Sequence, residues 1–367
     1  MHTSFSLRSL ALGAMGALAA VSCSNDRTGP TGPGGASANF NQQAAQQQGL
    51  ATAIAAQERH NPQLLATGGV EGTAVGRTAD GHPEILIFTR VADLTGLPQT
   101  LDGVPVAVQV TGRFTALPAA QAPVGSEAPP VGRGHGGKVD PTTRFARPVP
   151  IGISTGNAGE CSAGTISARV RDAGGNVFAL SNNHVYALEN DAPIGSDVVQ
   201  PGLYDTSCAF DASNVLGTLA AFNTIDFSGG NNTIDAALAA TTTADLGNAT
   251  PANGYGAPSS TTVSAVLGQA VQKYGRSSSL TTGSITGVNA TILVGYQSGT
   301  ATFTDQIVVE SHKPFIKAGD SGSLLVTNDA NANPVGLLFA GSQSGTLAVA
   351  NRIDLVLAHF GVQIDGK

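Results

Sequence analysis

Tryptophan is absent from this 367-residue chain, methionine occurs twice, and aromatic side chains make up only 5% of it. Charge is scarce as well: Asp, Glu, Lys and Arg together reach 12%, about half the usual share of roughly 25%. With 18 Lys and Arg against 25 Asp and Glu the formal charge is −7, and no basic block interrupts that balance. Binding a phosphate backbone needs clustered cations, so nucleic-acid partners are excluded. Beyond the N-terminus no apolar run is long enough to span a bilayer, so membrane contact is expected only through a lipid anchor. Only 3 cysteines are present, and neither Cys161 nor Cys208 has a second cysteine or a histidine at ligand spacing. No metal or cofactor is therefore expected. What is present is 41% hydrophobic, enough for a packed core, with 47 glycines and much Ser, Thr, Asn and Val. That composition suits strands and turns.

Arg8 precedes an apolar, small-residue run over residues 9–22, the size of a secretory signal, so residues 1–22 read as a signal peptide. The run ends in Ala20-Val21-Ser22-Cys23, which resembles the bacterial lipobox, although Ala20 stands where that signal carries Leu. The resemblance implies lipidation of Cys23 and a cell-envelope lipoprotein; an ordinary secretory signal is the alternative. With Cys23 so assigned, Cys161 and Cys208 can pair in an oxidising compartment or remain buried thiols, and the disulfide is expected.

Residues 23–42 are rich in Gly, Pro, Asn and Gln and read as a flexible tether. Residues 43–114 read as a small α+β module: a helix over 44–59 ahead of Pro62, then strands over 70–78 and 84–90 around the Asp80-Gly81 turn, and a third over 104–112. Holding no chemical constellation, this module is expected to pack, inhibit or chaperone. A Pro/Gly-rich linker follows over 115–149. Its Gly-rich segment at 132–137 lacks the strand and helix of a phosphate loop, and its Arg133, Lys138, Arg144 and Arg147 mark a site for nicking. From 150 to 367 short strand-like runs alternate with turn clusters, over 165–171, 176–181, 215–220, 264–273, 306–310, 323–327 and 335–340. This is an all-β pattern, long enough for two barrels with a cleft between them, and residues 352–360 close it with a helix.

Gly319-Asp320-Ser321-Gly322 precedes an apolar run. Glycine at 319 permits a tight turn in which the N–H groups of Gly319 and Ser321 converge where a carbonyl oxygen becomes an oxyanion. Taken alone, it is also what a Gly-rich turn looks like. Upstream, Phe178-Ala179-Leu180-Ser181-Asn182-Asn183-His184 is a strand-like run ending in a histidine. Between them lies Asp235, whose apolar flanks predict a buried carboxylate; Asp226 is its rival. Asp191, Asp197, Asp205 and Asp211 sit in polar, turn-rich sequence and are expected to be solvated.

These three elements, in the order His, Asp, Ser, resemble the trypsin/chymotrypsin-like serine peptidases, and more narrowly their divergent bacterial members, over residues 150–367. The resemblance implies a two-β-barrel fold and a serine endopeptidase acting on protein or peptide through an acyl-enzyme. His184 would be its base, Asp235 the residue that orients His184, and Ser321 the nucleophile. By the same resemblance Phe339-Ala340-Gly341 is the edge that pairs with an extended substrate. Phe315 stands six residues before the nucleophile, where many members carry the acid that selects Lys or Arg. This points to apolar or small side chains, with nearby Lys317 favouring an acidic one. No basic residue precedes an Ile-Val-Gly-Gly start, so activation by a freed amine pairing with Asp320 is not expected. A non-catalytic surface binding protein on the same fold and an esterase using the same triad are the alternatives.

Overall fold

The computed structural model describes residues 34–116 and 139–367, with side chains from residue 46 onward. The signal at 1–22, Cys23, Arg133, Lys138 and the Gly-rich segment at 132–137 lie outside the described residues.

Helix α1 (Gly34–Leu65) begins inside the expected tether and runs through Pro62, where the sequence predicts a stop. Proline removes one amide donor, but the Ala66 N–H still reaches the Pro62 carbonyl at 3.3 Å, so the last turn closes. The helix buries Ala53, Ala56, Gln57, Asn61 and Leu64, positions at helical spacing. Strands β1 (Val70–Arg77) and β2 (Pro83–Thr89) form the hairpin expected at Asp80-Gly81. Then come β3 (Thr100–Leu101), β4 (Val104–Val110) and β5 (Phe114–Ala116).

The next strands are β6 (Ser154–Asn157), β7 (Gly164–Thr165), β8 (Ala168–Asp172) and β9 (Val177–Ser181), followed by the one-turn helix α2 (Asn183–Tyr186). After it come β10 (Asp197–Val199), β11 (Val215–Phe222), β12 (Asn231–Asn232) and β13 (Ala237–Thr241). The C-terminal part holds β14 (Ala270–Gly275), β15 (Ser279–Gly295), β16 (Thr300–Glu310), β17 (Leu324–Thr327), β18 (Pro334–Ser342) and β19 (Leu347–Arg352). Helix α3 (Ile353–Phe360) and β20 (Val362–Ile364) end the chain.

The all-β expectation holds. One sheet runs β20-β8-β9-β13-β11-β10-β6-β7 over a core that includes Ile151, Ile166, Val198 and Leu219. In the other, β14-β15-β16-β19-β18-β17 close back onto β14 as a six-stranded barrel. A third cluster joins Val170, Leu180 and Leu238 of the first sheet to Leu324, Val326, Leu337 and Val356 of the second part. Burying each such side chain contributes roughly 1.5–3 kcal/mol, which holds the two halves together.

The front segment does not stand apart. Strand β1 pairs antiparallel with β15 (Gly72 opposite Ile292, Thr73 opposite Thr291), so β1, β2, β4 and β3 extend the C-terminal sheet. Gln57 and Asn61 of α1 latch onto the same strands. Gln57 donates to Thr73 Oγ1 at 2.9 Å and to the Asn289 carbonyl at 3.0 Å, and Asn61 donates to Thr291 Oγ1 at 3.0 Å. Residues 45–367 accordingly make one compact unit. The expected linker is also shorter than 115–149: Thr115 and Ala116 are in β5, and Arg147 pairs with Asp245 at 2.7 Å. Among the described residues no helix is long and apolar enough to cross a membrane.

Candidate active site

Strand pairing brings His184 and Asp235 together. In the β9–β13 ladder Ser181 faces Ala237, so the residues just beyond the end of β9 meet those just before β13. His184 Nδ1 lies 2.6 Å from Asp235 Oδ2, and the His184 backbone N–H donates to Oδ1 at 3.2 Å. Both side chains are buried, 1% and 0% exposed, so solvent does not screen the pair. Asn182 donates to the Asp235 carbonyl at 2.7 Å, and Asn351 accepts the Asp235 N–H at 3.0 Å. Asp226 takes no part: its carboxylate caps Ser228 in the neighbouring loop.

Ser321 stands at the seam of the two halves, fully buried. Its carbonyl accepts the Thr165 N–H of β7 at 2.7 Å, and its hydroxyl donates to the Phe339 carbonyl at 3.3 Å. His184 Nε2 has no hydrogen-bond partner among the described residues. The two flanking glycines are required. Gly319 and Gly322 have φ of 92° and 93°, and a Cβ would strike the Arg276 and Ser277 side chains at the first and the Thr165 carbonyl at the second. Among the described residues neither the Gly319 nor the Ser321 N–H has a hydrogen-bond acceptor, leaving both donors free.

The loop is held by its aspartate. Asp320 accepts the backbone N–H groups of Ser277 and Ser278 at 2.8 and 3.1 Å and that of Lys317 at 2.9 Å. Lys273 Nζ lies 3.2 Å from Asp320 Oδ2, both side chains fully buried. Burial pulls the Lys273 ammonium below its usual pKa, and the Asp320 charge opposes that. Lys273 is thus the charge partner of Asp320, and nothing in its own sequence neighbourhood marks it. Asp205 is a correction: it is not solvated, but is buried against Arg276, whose Nε donates to it at 2.7 Å. Arg276 in turn sits beside Gly319, and its backbone N–H donates to Thr165 Oγ1 of β7 at 3.1 Å, tying the Ser321 loop to the first sheet. Nearby, Cys161 and Cys208 are disulfide-bonded, with Cα atoms 5.1 Å apart.

The expected substrate contacts fare unevenly. Phe315 is core: its ring packs with Val271, Ile285 and Leu325 in the closed barrel. Phe339 is core as well, its ring tilted against that of Phe303 with centroids 4.7 Å apart. Ala340 and Gly341 do form an edge, but β5 already occupies it, with Ala116 opposite Ala340 and Thr115 opposite Gly341. Beside it opens a cleft of about 730 Å³ lined by Arg113, Lys317, Ala318, Ser342 and Gly345 among others. Among the described residues no group of His, Cys, Asp or Glu could hold a metal ion. Tyr296, whose hydroxyl reaches Asp235, was not found from sequence.

A family model described as the Nal1 C-terminal domain matches residues 238–363. No curated protein sequence matches significantly. Among solved structures, a glutamic acid-specific serine protease is 20% identical with a TM-score of 0.42, covering 59% of this chain and 100% of its own. Thermobifida fusca Protease A is 20% identical with a TM-score of 0.43, covering 60% and 100%. The chymotrypsin of Cellulomonas bogoriensis is 19% identical with a TM-score of 0.41, covering 60% and 99%. Identities this low leave activity to be argued from this chain's own side chains.

Proposed function

We propose that this chain is an exported serine endopeptidase that hydrolyses peptide bonds through an acyl-enzyme. The observation that carries the reading is the buried His184–Asp235 pair, whose far nitrogen, Nε2, is left unpartnered. Asp235 holds the Nδ1–H tautomer, which leaves Nε2 basic and able to take the Ser321 proton once that hydroxyl turns from the Phe339 carbonyl. The free N–H groups of Gly319 and Ser321 would receive the oxyanion. A fluorophosphonate probe tests this: it should label the wild type and not Ser321→Ala. Absence of labelling in both, after the front segment is stripped, would favour the binding-protein reading. Labelling together with turnover of esters but not peptides would favour the esterase.

A second observation supports latency. Strand β5 pairs antiparallel with the β18 edge that an extended substrate would use, and Ser321 is fully buried. In this reading residues 45–116 mask the site until they are removed, and export would precede lipidation at Cys23. Stripping the front segment should raise the rate on a single peptide; equal rates would leave it a scaffold only.

A further inference from the structure

Asp235 has one donor that does not belong to His184. Tyr296 Oη–H reaches Asp235 Oδ2 at 2.9 Å, the same oxygen that holds His184 Nδ1 at 2.6 Å. The carboxylate is fully buried, and no other side chain among the described residues donates to it. Two donors on one oxygen fix the plane of the carboxylate, and through it the tautomer and direction of the imidazole. The tyrosine ring also meets the imidazole edge-on, with centroids 5.9 Å apart at 70°, and is itself packed against Phe227 and Phe303. Burial first, then the Asp235 charge, raises the Tyr296 hydroxyl well above its ordinary pKa, so it stays a donor.

The way Tyr296 arrives is as specific as its contact. It leads the tip between β15 and β16, where its N–H bonds the Gly299 carbonyl at 2.7 Å. The next two tip amides, Gln297 and Ser298, donate to the Glu189 carboxylate at 3.1 and 2.7 Å. Glu189 lies just past α2, in a run with Leu188 and Asn190 whose φ values are 56°, 50° and 86°. Side chains rarely adopt that left-handed backbone, and three in a row persist only where the surroundings hold them.

We infer that Tyr296 is a positioning residue for the His184–Asp235 pair, carried to it by the β15–β16 tip and docked there by Glu189. Its effect on turnover rests on the peptidase reading, whereas its effect on the imidazole does not. The test uses the full chain with Tyr296→Phe, which keeps the ring in its cluster, and ¹⁵N-histidine labelling with His184 assigned by its loss in His184→Gln. Loss of the hydroxyl should move the His184 Nδ1 resonance, and Glu189→Ala, which frees the tip, should move it the same way. On stripped protein, kcat should fall about tenfold with KM within about twofold. A Nδ1 resonance that stays in place in Tyr296→Phe overturns the inference, whatever the rate does. A resonance that moves in a protein without hydrolytic activity supports it and sinks the peptidase reading instead.

Discussion

Asp320 must satisfy its charge without water, and that need explains more of the site than the Gly-Asp-Ser-Gly motif itself. Three backbone amides, the Ser278 hydroxyl and Lys273 surround it, so the loop that presents Ser321 is fixed from within the closed barrel. Removing one partner of a buried pair leaves the other uncompensated, at about 3–5 kcal/mol. Lys273→Met should therefore destabilise the protein by about that amount in urea unfolding, and adding Asp320→Asn should return part of it. A single variant as stable as the wild type would mean the amides and the Ser278 hydroxyl suffice. At this scale the sequence was informative where chemistry needs a local pattern: glycines around Ser321, a strand end before His184, apolar flanks at Asp235. Lys273, Tyr296 and Arg276 were hidden, because their partners lie far along the chain and nothing in their own neighbourhoods marks them. That Phe315 is core was hidden too. A position defined by its distance from Ser321 says nothing about which way the barrel turns its side chain.

Among elements, short apolar runs bounded by turn clusters, such as those that form β17 and β18, were legible, and β15 was not. Its sequence is rich in Ser, Thr and Gly, and the register of its pairing with β16 shifts three times, between Ile285 and Gly287, Gly287 and Ala290, and Ala290 and Ile292. Each bulge resets the period-two pattern by which a strand is recognised. Those same shifts let one strand serve the barrel, the front sheet and the Tyr296 tip. The last element is fastened differently. Asp365, just after β20, accepts Arg169 Nε at 2.6 Å and Arg171 Nε at 2.7 Å from β8. Burial raises the Asp365 pKa, but bonds and charge from the two arginines outweigh it, and the net shift is downward. A carboxyl lowered in the folded state adds stability above its unfolded pKa of about 3.9, and loses it as pH falls through the folded value. Asp365→Asn should therefore be less stable than wild type near neutrality, with the gap closing below about pH 4. A gap that stays constant down to about pH 2.5 would show that packing, not charge, holds β20.

For the whole molecule, the decisive feature is that the front segment and the second barrel share a sheet. Sequence reading separates them, since a long Pro/Gly-rich stretch between two patterned regions looks like a domain boundary, and strand pairing across it leaves no local trace. The shared sheet has a mechanical consequence. Phe88 and Phe114 pack edge-on at 5.5 Å inside the same cluster as Ile292, Phe303 and Phe339. Gln57 and Asn61 add hydrogen bonds to Asn289 and Thr291 of β15. Releasing the segment would expose two phenylalanines at roughly 1.5–3 kcal/mol each, besides the broken β1–β15 ladder. Cutting the chain within residues 117–138 should therefore not release the segment. The nicked protein is expected to run as one species in gel filtration and to stay as slow on a peptide as the uncut chain. On the peptidase reading, activity should rise only when mild denaturant or digestion removes residues 45–116. Separation of the fragments in native buffer straight after nicking would refute this, and would make a single cut sufficient for activation.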